Sequence, residues 1–268
     1  MRAYHLNDRW LWIVCAGLVL AGSSAVQADN PPKKSLFIES AKVDLPNLPR
    51  RIIEDSNATF MRADNMTALL LAGGASIAMH ETKADEKLSG NFERHRVFQG
   101  FTDESLNVIG SPATHFAVTG LWYALSAENK DQFNRNRAWT MMTALSVTGL
   151  TTLGLKAIRH NETPNGKDWA WPSGHAASSF TVASVLDEFY GPKVGIPAYV
   201  LASLVAYRMI DTGDHWSSDV VFGATLGWVV GHTIAGKHKQ LEIAGFEALP
   251  YTCCGEHPAI GVILVKQF

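Results

Sequence analysis

Six long stretches that contain no Asp, Glu, Lys or Arg most constrain what this chain can fold into. They are rich in Ala, Leu, Val, Gly and Thr, and short charged segments separate them. The stretches are 65–79, 105–127, 138–155, 174–186, 194–207 and 220–236. Their length favours helices over strands. Several apolar helices in one block predict an all-α fold, a bundle of about six helices.

The first residues have the features of a leader for export. Two arginines precede an apolar run at 10–20, and small residues follow as far as Ala28. This order is typical of a secretory signal peptide, and we expect cleavage before Asp29. The alternative is an uncleaved anchor helix, but the apolar run is short against the roughly 20 residues of a membrane span. We therefore expect the periplasm, or the periplasmic side of a bacterial membrane.

Changes in composition predict four segments along the chain. They are a signal peptide at 1–28, a linker and peripheral helix at 29–62, the helical bundle at 63–240 and a C-terminal extension at 241–268. We place the peripheral helix near Pro49–Phe60 and interpret the charged clusters Glu81–Arg96 and Glu128–Arg137 as solvated connectors. Phe246–Tyr251 and Ile260–Phe268 predict a small β-hairpin.

Charge and cysteine content exclude several classes of protein. The formal net charge of −2, from 23 basic and 25 acidic residues, argues against a nucleic-acid partner. Cys253 and Cys254 are adjacent, so they offer no disulfide framework, and we assign the pair no function. The mean hydropathy of +0.01 leaves both a soluble bundle and a set of short membrane helices open.

Three short polar patches border the apolar stretches. The patches are Lys156–Pro164, Trp171–His175 and Arg208–Asp219. The second predicts an anion site, because Ser173 can cap a helix whose free amide groups face a ligand and Gly174 lets that ligand approach the backbone. His175 follows at a position from which it could protonate a leaving oxygen.

The third patch pairs an imidazole with a carboxylate. His215 and Asp219 are four residues apart and share a face if the chain is helical there. The carboxylate would fix the imidazole tautomer and leave the other ring nitrogen free to attack. Lys156 and Arg208 add positive charge for a phosphoryl group, although at helix ends both could simply interact with the helix dipole.

Together, the patches resemble the signature of the type 2 phosphatidic acid phosphatase and vanadium haloperoxidase superfamily. That signature is Lys, six residues, Arg-Pro; later Pro-Ser-Gly-His; later Ser-Arg, five residues, His, three residues, Asp. Pro172–His175 matches fully, and His215 and Asp219 have the required spacing. Lys156 and Pro164 match with the right separation. The resemblance covers about residues 64–236.

The chain departs from this signature in both outer motifs. Thr163 replaces the first-motif arginine, and Arg159, one turn from the first-motif lysine, is the candidate to replace it in part. The segment that follows the first motif is short. Tyr207 stands where the signature has Ser, and six residues instead of five separate Arg208 from His215, which implies a loop expanded by one residue.

The resemblance implies a role for each matching residue. His215 would be the nucleophile and form a phosphohistidine, Asp219 would orient it, and His175 would protonate the leaving group and then activate water. The phosphate oxygens would be held by Lys156, Ser173, the Gly174 backbone, Arg208 and Arg159. This chemistry needs no metal and no cofactor, and vanadate is the expected inhibitor.

The expected activity is metal-independent hydrolysis of a lipid phosphate or lipid pyrophosphate through that phosphohistidine. A soluble periplasmic acid phosphatase acting on small phosphomonoesters and a non-catalytic phosphate-binding bundle are alternatives. A vanadate-dependent haloperoxidase is disfavoured, because haloperoxidases of the family are considerably larger. Tryptophans at the segment ends favour membrane association. The sequence leaves the head group and the oligomeric state open.

Overall fold

The computed structural model describes residues 35–239, 241–243, 246–253 and 259–265. The signal peptide predicted at 1–28 and its cleavage site therefore lie outside the described residues, as does Cys254.

Residues 35–239 form helices joined by short connections. The α-helices are α1 (Leu36–Asp44), α2 (Leu48–Phe60), α3 (Ala63–Glu81), α4 (Ala84–Arg94), α5 (Gly100–Gly110), α6 (Pro112–Glu128), α7 (Gln132–Arg159), α8 (Gly174–Tyr190), α9 (Pro192–Asp211) and α10 (Ser217–His238). A 3₁₀ turn, Leu45–Asn47, joins α1 to α2. The prediction of an all-helical bundle is confirmed for this range, but the predicted number of about six helices is too low.

The apolar stretch 105–127, predicted as one helix, is divided between α5 and α6. The break falls at Ser111, whose backbone is extended (φ −64°, ψ 132°) because Pro112 follows it. A proline disfavours helical backbone at the preceding residue but fits the first helical position, where its missing N–H is not needed.

The charged clusters predicted as solvated connectors are mostly helical. α4 occupies most of Glu81–Arg96, and it is held to the bundle because the buried Asp85 accepts a hydrogen bond from the backbone N–H of Ser218 at 3.0 Å. In the second cluster α7 begins at Gln132, where the side chain of Asp131 caps the helix. Charge alone therefore misled the prediction, because α4 still packs Phe92 against Tyr207 and the charged first turns of α7 lead into a helix that contributes to the core.

The C-terminal residues form a three-stranded antiparallel sheet in the order β1 (Leu241–Ile243), β2 (Phe246–Cys253) and β3 (Ala259–Val265). In the register of β2 and β3, Leu249 lies opposite Ile263. The prediction of a two-stranded hairpin is thus corrected to a sheet that includes β1. A strand of three residues is too short to show a periodicity in the sequence.

α8 and α10 pack against each other along a row of glycines. Gly223, Gly227 and Gly231 are four residues apart and so lie on one face of α10. A Cβ atom at any of them would lie 2.1–2.7 Å from a backbone carbonyl oxygen of α8, closest at Gly227. The facing oxygens advance from Ser173 towards the C-terminus of α8 as the glycines advance along α10. The two helices are therefore parallel, and their N-terminal ends lie together.

Around this contact lies the main hydrophobic core. Its most deeply buried large side chains come from α7, α8 and α10, and each is at most 1% exposed: Leu145, Val147, Val185, Leu226, Val229, Val230 and Ile234. On the outside, two of the described helices, α7 and α9, are long and apolar enough to cross a membrane. Only 39% of the apolar window of each is buried within the protein.

We predict that Gly227→Ala destabilises the fold strongly. The added methyl would lie 2.1 Å from the carbonyl oxygen of Ala177, so α8 and α10 must separate. We expect a loss of at least about 2 kcal/mol, measured as a lower Tm. The matched control is Gly236→Ala in the same helix, where a Cβ meets nothing within 4 Å. It should be neutral or slightly stabilising, and equal Tm values for the two variants would contradict the prediction.

Candidate active site

A cavity of about 410 Å³ lies where the N-terminal ends of α8 and α10 meet the last turns of α7 and α9. Four of the residues predicted for the site line it: Lys156, His175, Arg208 and His215. The other lining residues are Arg96, Asn107, Thr163, Lys167, Asp168, Trp169, Met209, Thr212 and Asp214. The fold thus brings all three sequence patches to one place.

His215 lies two residues before α10 and is 9% exposed. Its Nδ1 atom is 3.5 Å from Oδ2 of Asp219, which is itself almost completely buried. The same carboxylate oxygen accepts a hydrogen bond from the backbone N–H of Trp216 at 3.0 Å. Asp219 therefore closes the first turn of α10, and its carboxylate faces Nδ1 of the imidazole. The remainder of the ring lines the cavity.

The N-terminus of α8 is built on Ser173. Its side chain accepts a hydrogen bond from the backbone N–H of Ala176, as the sequence predicts for a helix cap. Its backbone N–H donates to the carbonyl oxygen of Asp219 at 3.1 Å, which joins the two helix ends directly. Ser173 is fully buried, and the cavity wall at this point is formed by His175.

The electrostatics of His175 favour the neutral imidazole. Burial lowers its pKa, and the positive potentials of His215 and Arg208 lower it further, to about 4. At neutral pH the ring is therefore uncharged when the cavity holds no anion. A phosphate dianion beside it would raise this pKa, because an adjacent opposite charge favours the protonated form.

The two cations of the first motif differ in position. Lys156 lines the cavity, and its ammonium donates to the carbonyl oxygens of Trp169 and Ala170. The guanidinium of Arg159 lies over the ring of Trp171, 5.2 Å from its centroid. The structure thus brings Lys156 into the site but places Arg159 against an aromatic face.

Arg208 is held between two carboxylates that the sequence analysis missed. Its Nε atom donates to Asp103 at 2.6 Å and its Nη1 atom to Asp214 at 2.5 Å, and the side chain is 8% exposed. Burial alone would raise the pKa of Asp214, but the hydrogen bond from Lys167 and the charges of Arg208 and Lys167 hold it well below its usual range. The carboxylate of Asp214 is therefore negatively charged, and its ion pair with Arg208 holds the guanidinium in place.

The comparisons with known proteins agree with the motifs. Residues 152–241, which include the three patches from Lys156 onward, match the model of the PAP2 superfamily. The predicted resemblance to this superfamily is confirmed. A lipid A 1-phosphatase of Porphyromonas gingivalis is 30% identical over 106 residues, which are 36% of this chain and 24% of that protein. The chain thus spans about a quarter of the curated relative that it matches.

Two solved structures are similar to this chain. One is a transmembrane PAP2-type phosphatidylglycerolphosphate phosphatase from Bacillus subtilis, with a TM-score of 0.56 and 20% identity, covering 64% of this chain and 94% of that one. The other is Aquifex aeolicus LpxE, with a TM-score of 0.47 and 20% identity, covering 56% and 93%. The first likeness shows a shared fold.

The departures from the PAP2 signature account for two of the residues that sequence reasoning missed. Lys167 lies in the short segment after the first motif, and Asp214 is in the expanded loop before His215, so the changed spacings were the available signals. Arg96 had no such signal. It reaches the cavity because the backbone N–H groups of Val97 and Phe98, which follow it, donate to the buried Asp211.

We predict that Arg208→Met lowers stability as well as removing a cation from the cavity. The change leaves Asp103 and Asp214 without their shared partner, at an expected cost of about 2–3 kcal/mol, since both carboxylates are about a fifth exposed. Thermal unfolding measures the loss, and adding Asp103→Asn to the variant should recover part of it. An unchanged Tm would show that these ion pairs contribute nothing to the fold.

Proposed function

We propose that this protein is a phosphatase that hydrolyses a phosphate ester through a phosphohistidine on His215, without a metal. The observation that carries this proposal is the meeting of two parallel helix N-termini at one cavity. There His215, backed by Asp219, and His175 line a wall that also holds Lys156 and Arg208. A nucleophile, its orienting carboxylate, a proton donor and two cations are the parts that such a reaction needs.

In the first step, the free ring nitrogen of His215 attacks phosphorus and the bond to the leaving oxygen breaks. Asp219 stabilises the positive charge that develops on the imidazole. His175, protonated once the phosphate dianion is beside it, gives its proton to the leaving oxygen. The products of this step are the alcohol and the phosphohistidine.

In the second step, His175 takes a proton from water, whose oxygen attacks the phosphohistidine. The phosphorus–nitrogen bond breaks, phosphate leaves and His215 is regenerated. Through both steps, charge on the phosphate oxygens would be balanced by Lys156, by Arg208 and by free amide groups at the start of α8, including that of Gly174. Ser173 contributes by capping that turn and holding it in shape.

A lipid phosphate is the substrate that best fits the surface of the bundle. Large apolar side chains on the outer faces of α3, α6, α7 and α9 are more than half exposed: Leu70, Leu71, Val118, Leu121, Leu150, Leu153, Ile196 and Val200. An apolar surface on several helices is costly in water and favourable in a bilayer. Trp169, at the cavity, is 42% exposed, as suits the membrane interface. Two of the similar proteins are named as lipid phosphatases, which supports the same class of substrate.

The decisive experiment compares wild type with His215→Ala for release of phosphate. Each would be offered p-nitrophenyl phosphate and a short-chain phosphatidic acid in detergent, in one assay with and without EDTA and in a separate assay free of EDTA with and without orthovanadate. We expect metal-independent, vanadate-sensitive release that falls by about 10³-fold or more in the variant. His80→Ala, at an exposed histidine in α3, is the control and should retain activity. A better rate on the soluble ester would favour an acid phosphatase, and a folded wild type without activity would favour a phosphate-binding bundle.

Localisation is tested separately by washing membranes of cells that express the chain. We propose that the bundle is embedded with its cavity at the periplasmic surface, so the protein should stay in the pellet after high salt and after alkaline carbonate. Apolar contact with lipid tails resists both treatments, whereas a peripheral attachment does not. Release of the protein by osmotic shock would contradict the membrane placement without affecting the proposed chemistry.

A further inference from the structure

The cavity contains a cation, Lys167, that is outside the PAP2 signature. It is presented by the turn that begins at Thr163, the residue standing where the signature has arginine. The backbone N–H of Thr163 donates to the carbonyl oxygen of Lys167 at 2.8 Å, and the backbone N–H of Lys167 donates to Oγ1 of Thr163 at 2.9 Å. The threonine is 7% exposed, so its hydroxyl serves to close this turn.

Asp214, in the expanded loop, connects this turn to Arg208. Its Oδ2 atom accepts a hydrogen bond from Arg208, and its Oδ1 atom accepts from Lys167 at 2.8 Å and from Asn165 at 2.8 Å. The backbone N–H of Asn165 also donates to the carbonyl oxygen of Gly213 at 3.1 Å. One carboxylate therefore holds two cations beside each other at the wall of the cavity, next to His215 in the chain.

We infer that Lys167, positioned by Asp214, supplies the phosphate-binding charge that Thr163 does not. This rests on the proposed function. The two departures from the signature then form a single rearrangement: the first motif loses its arginine, and the expanded loop gains an aspartate that places a lysine in the same cavity. Arg159 is engaged with Trp171, and Arg96 pairs with Asp103 at 3.1 Å. Of these three cations, Lys167 is the one that donates a hydrogen bond to Asp214, the residue directly before His215.

The test uses the full-length protein in detergent and four variants: Lys167→Met, Lys167→Arg, Asp214→Asn and the double variant Lys167→Met with Asp214→Asn. Lys193→Met, at an exposed lysine in the first turn of α9, is the matched control. The readouts are KM and kcat for p-nitrophenyl phosphate and, independently, the Kd of inorganic phosphate by calorimetry. The Tm of each variant shows that it is folded.

We expect Lys167→Met to raise KM and the Kd of phosphate about tenfold, since a charge-assisted hydrogen bond of this kind is lost. Lys167→Arg should restore most of the affinity. Asp214→Asn should weaken binding in the same direction, and the double variant should be no weaker than Lys167→Met, because the two residues act as one unit. Lys193→Met should bind as wild type does.

Two results would overturn the inference. Unchanged KM and Kd in Lys167→Met would show that the lysine is a surface residue only, even if His215→Ala abolishes activity. Tighter phosphate binding by Asp214→Asn would show that the carboxylate competes with phosphate for the cations instead of positioning one. If wild type releases no phosphate, the proposed function fails, but the calorimetric arm still decides whether Lys167 binds the anion.

Discussion

The close parallel contact between α8 and α10 is the constraint on which the rest of the site depends. Because three glycines let the helix backbones approach, both N-terminal ends lie together, and the Ser173 backbone reaches Asp219 at 3.1 Å. Each end contributes one histidine to the same volume, and the start of α8 adds backbone N–H groups that have no acceptor within the helix. A side chain larger than hydrogen at the glycine positions would push the two helices apart and would therefore separate the two histidines, although none of the glycines lines the cavity.

A second layer of organisation is electrostatic and joins elements distant in the chain. Arg208 is fixed by Asp103 from α5 and by Asp214, which also binds Lys167 from the turn after α7. An arginine that is 8% exposed needs such partners, because an unpaired buried charge is strongly unfavourable. The same pairs hold the side chains of Arg208 and Lys167 in place before any anion binds. The binding of phosphate would therefore require little rearrangement of the side chains that line the cavity.

The fold was predictable where a helix lies in a long stretch without charge and less so elsewhere. α3, α7, α8, α9 and α10 lie where stretches without charge predicted them, although the structure extends most of them at the ends. The break at Ser111 was missed because Pro112 lies within an otherwise uniform apolar stretch. α4 was missed because charged residues outnumber its few apolar ones, and its attachment through Asp85 to Ser218 is a contact across 133 positions. Such contacts leave no local pattern.

For the site, the sequence alone determined which chemistry is available: two histidines, an orienting carboxylate and two cations, in motifs whose order matches the PAP2 signature. The nearness of His215 and Asp219 was predicted from helical spacing, but His215 lies two residues before α10, and the pair is close because Asp219 closes the first turn of that helix. The tertiary structure decided which cations reach the cavity. Arg159 lies against Trp171, whereas Lys167 and Arg208 meet at Asp214. Whether a flexible side chain faces a cavity depends on partners from other elements, and spacing along the chain does not record where those partners lie.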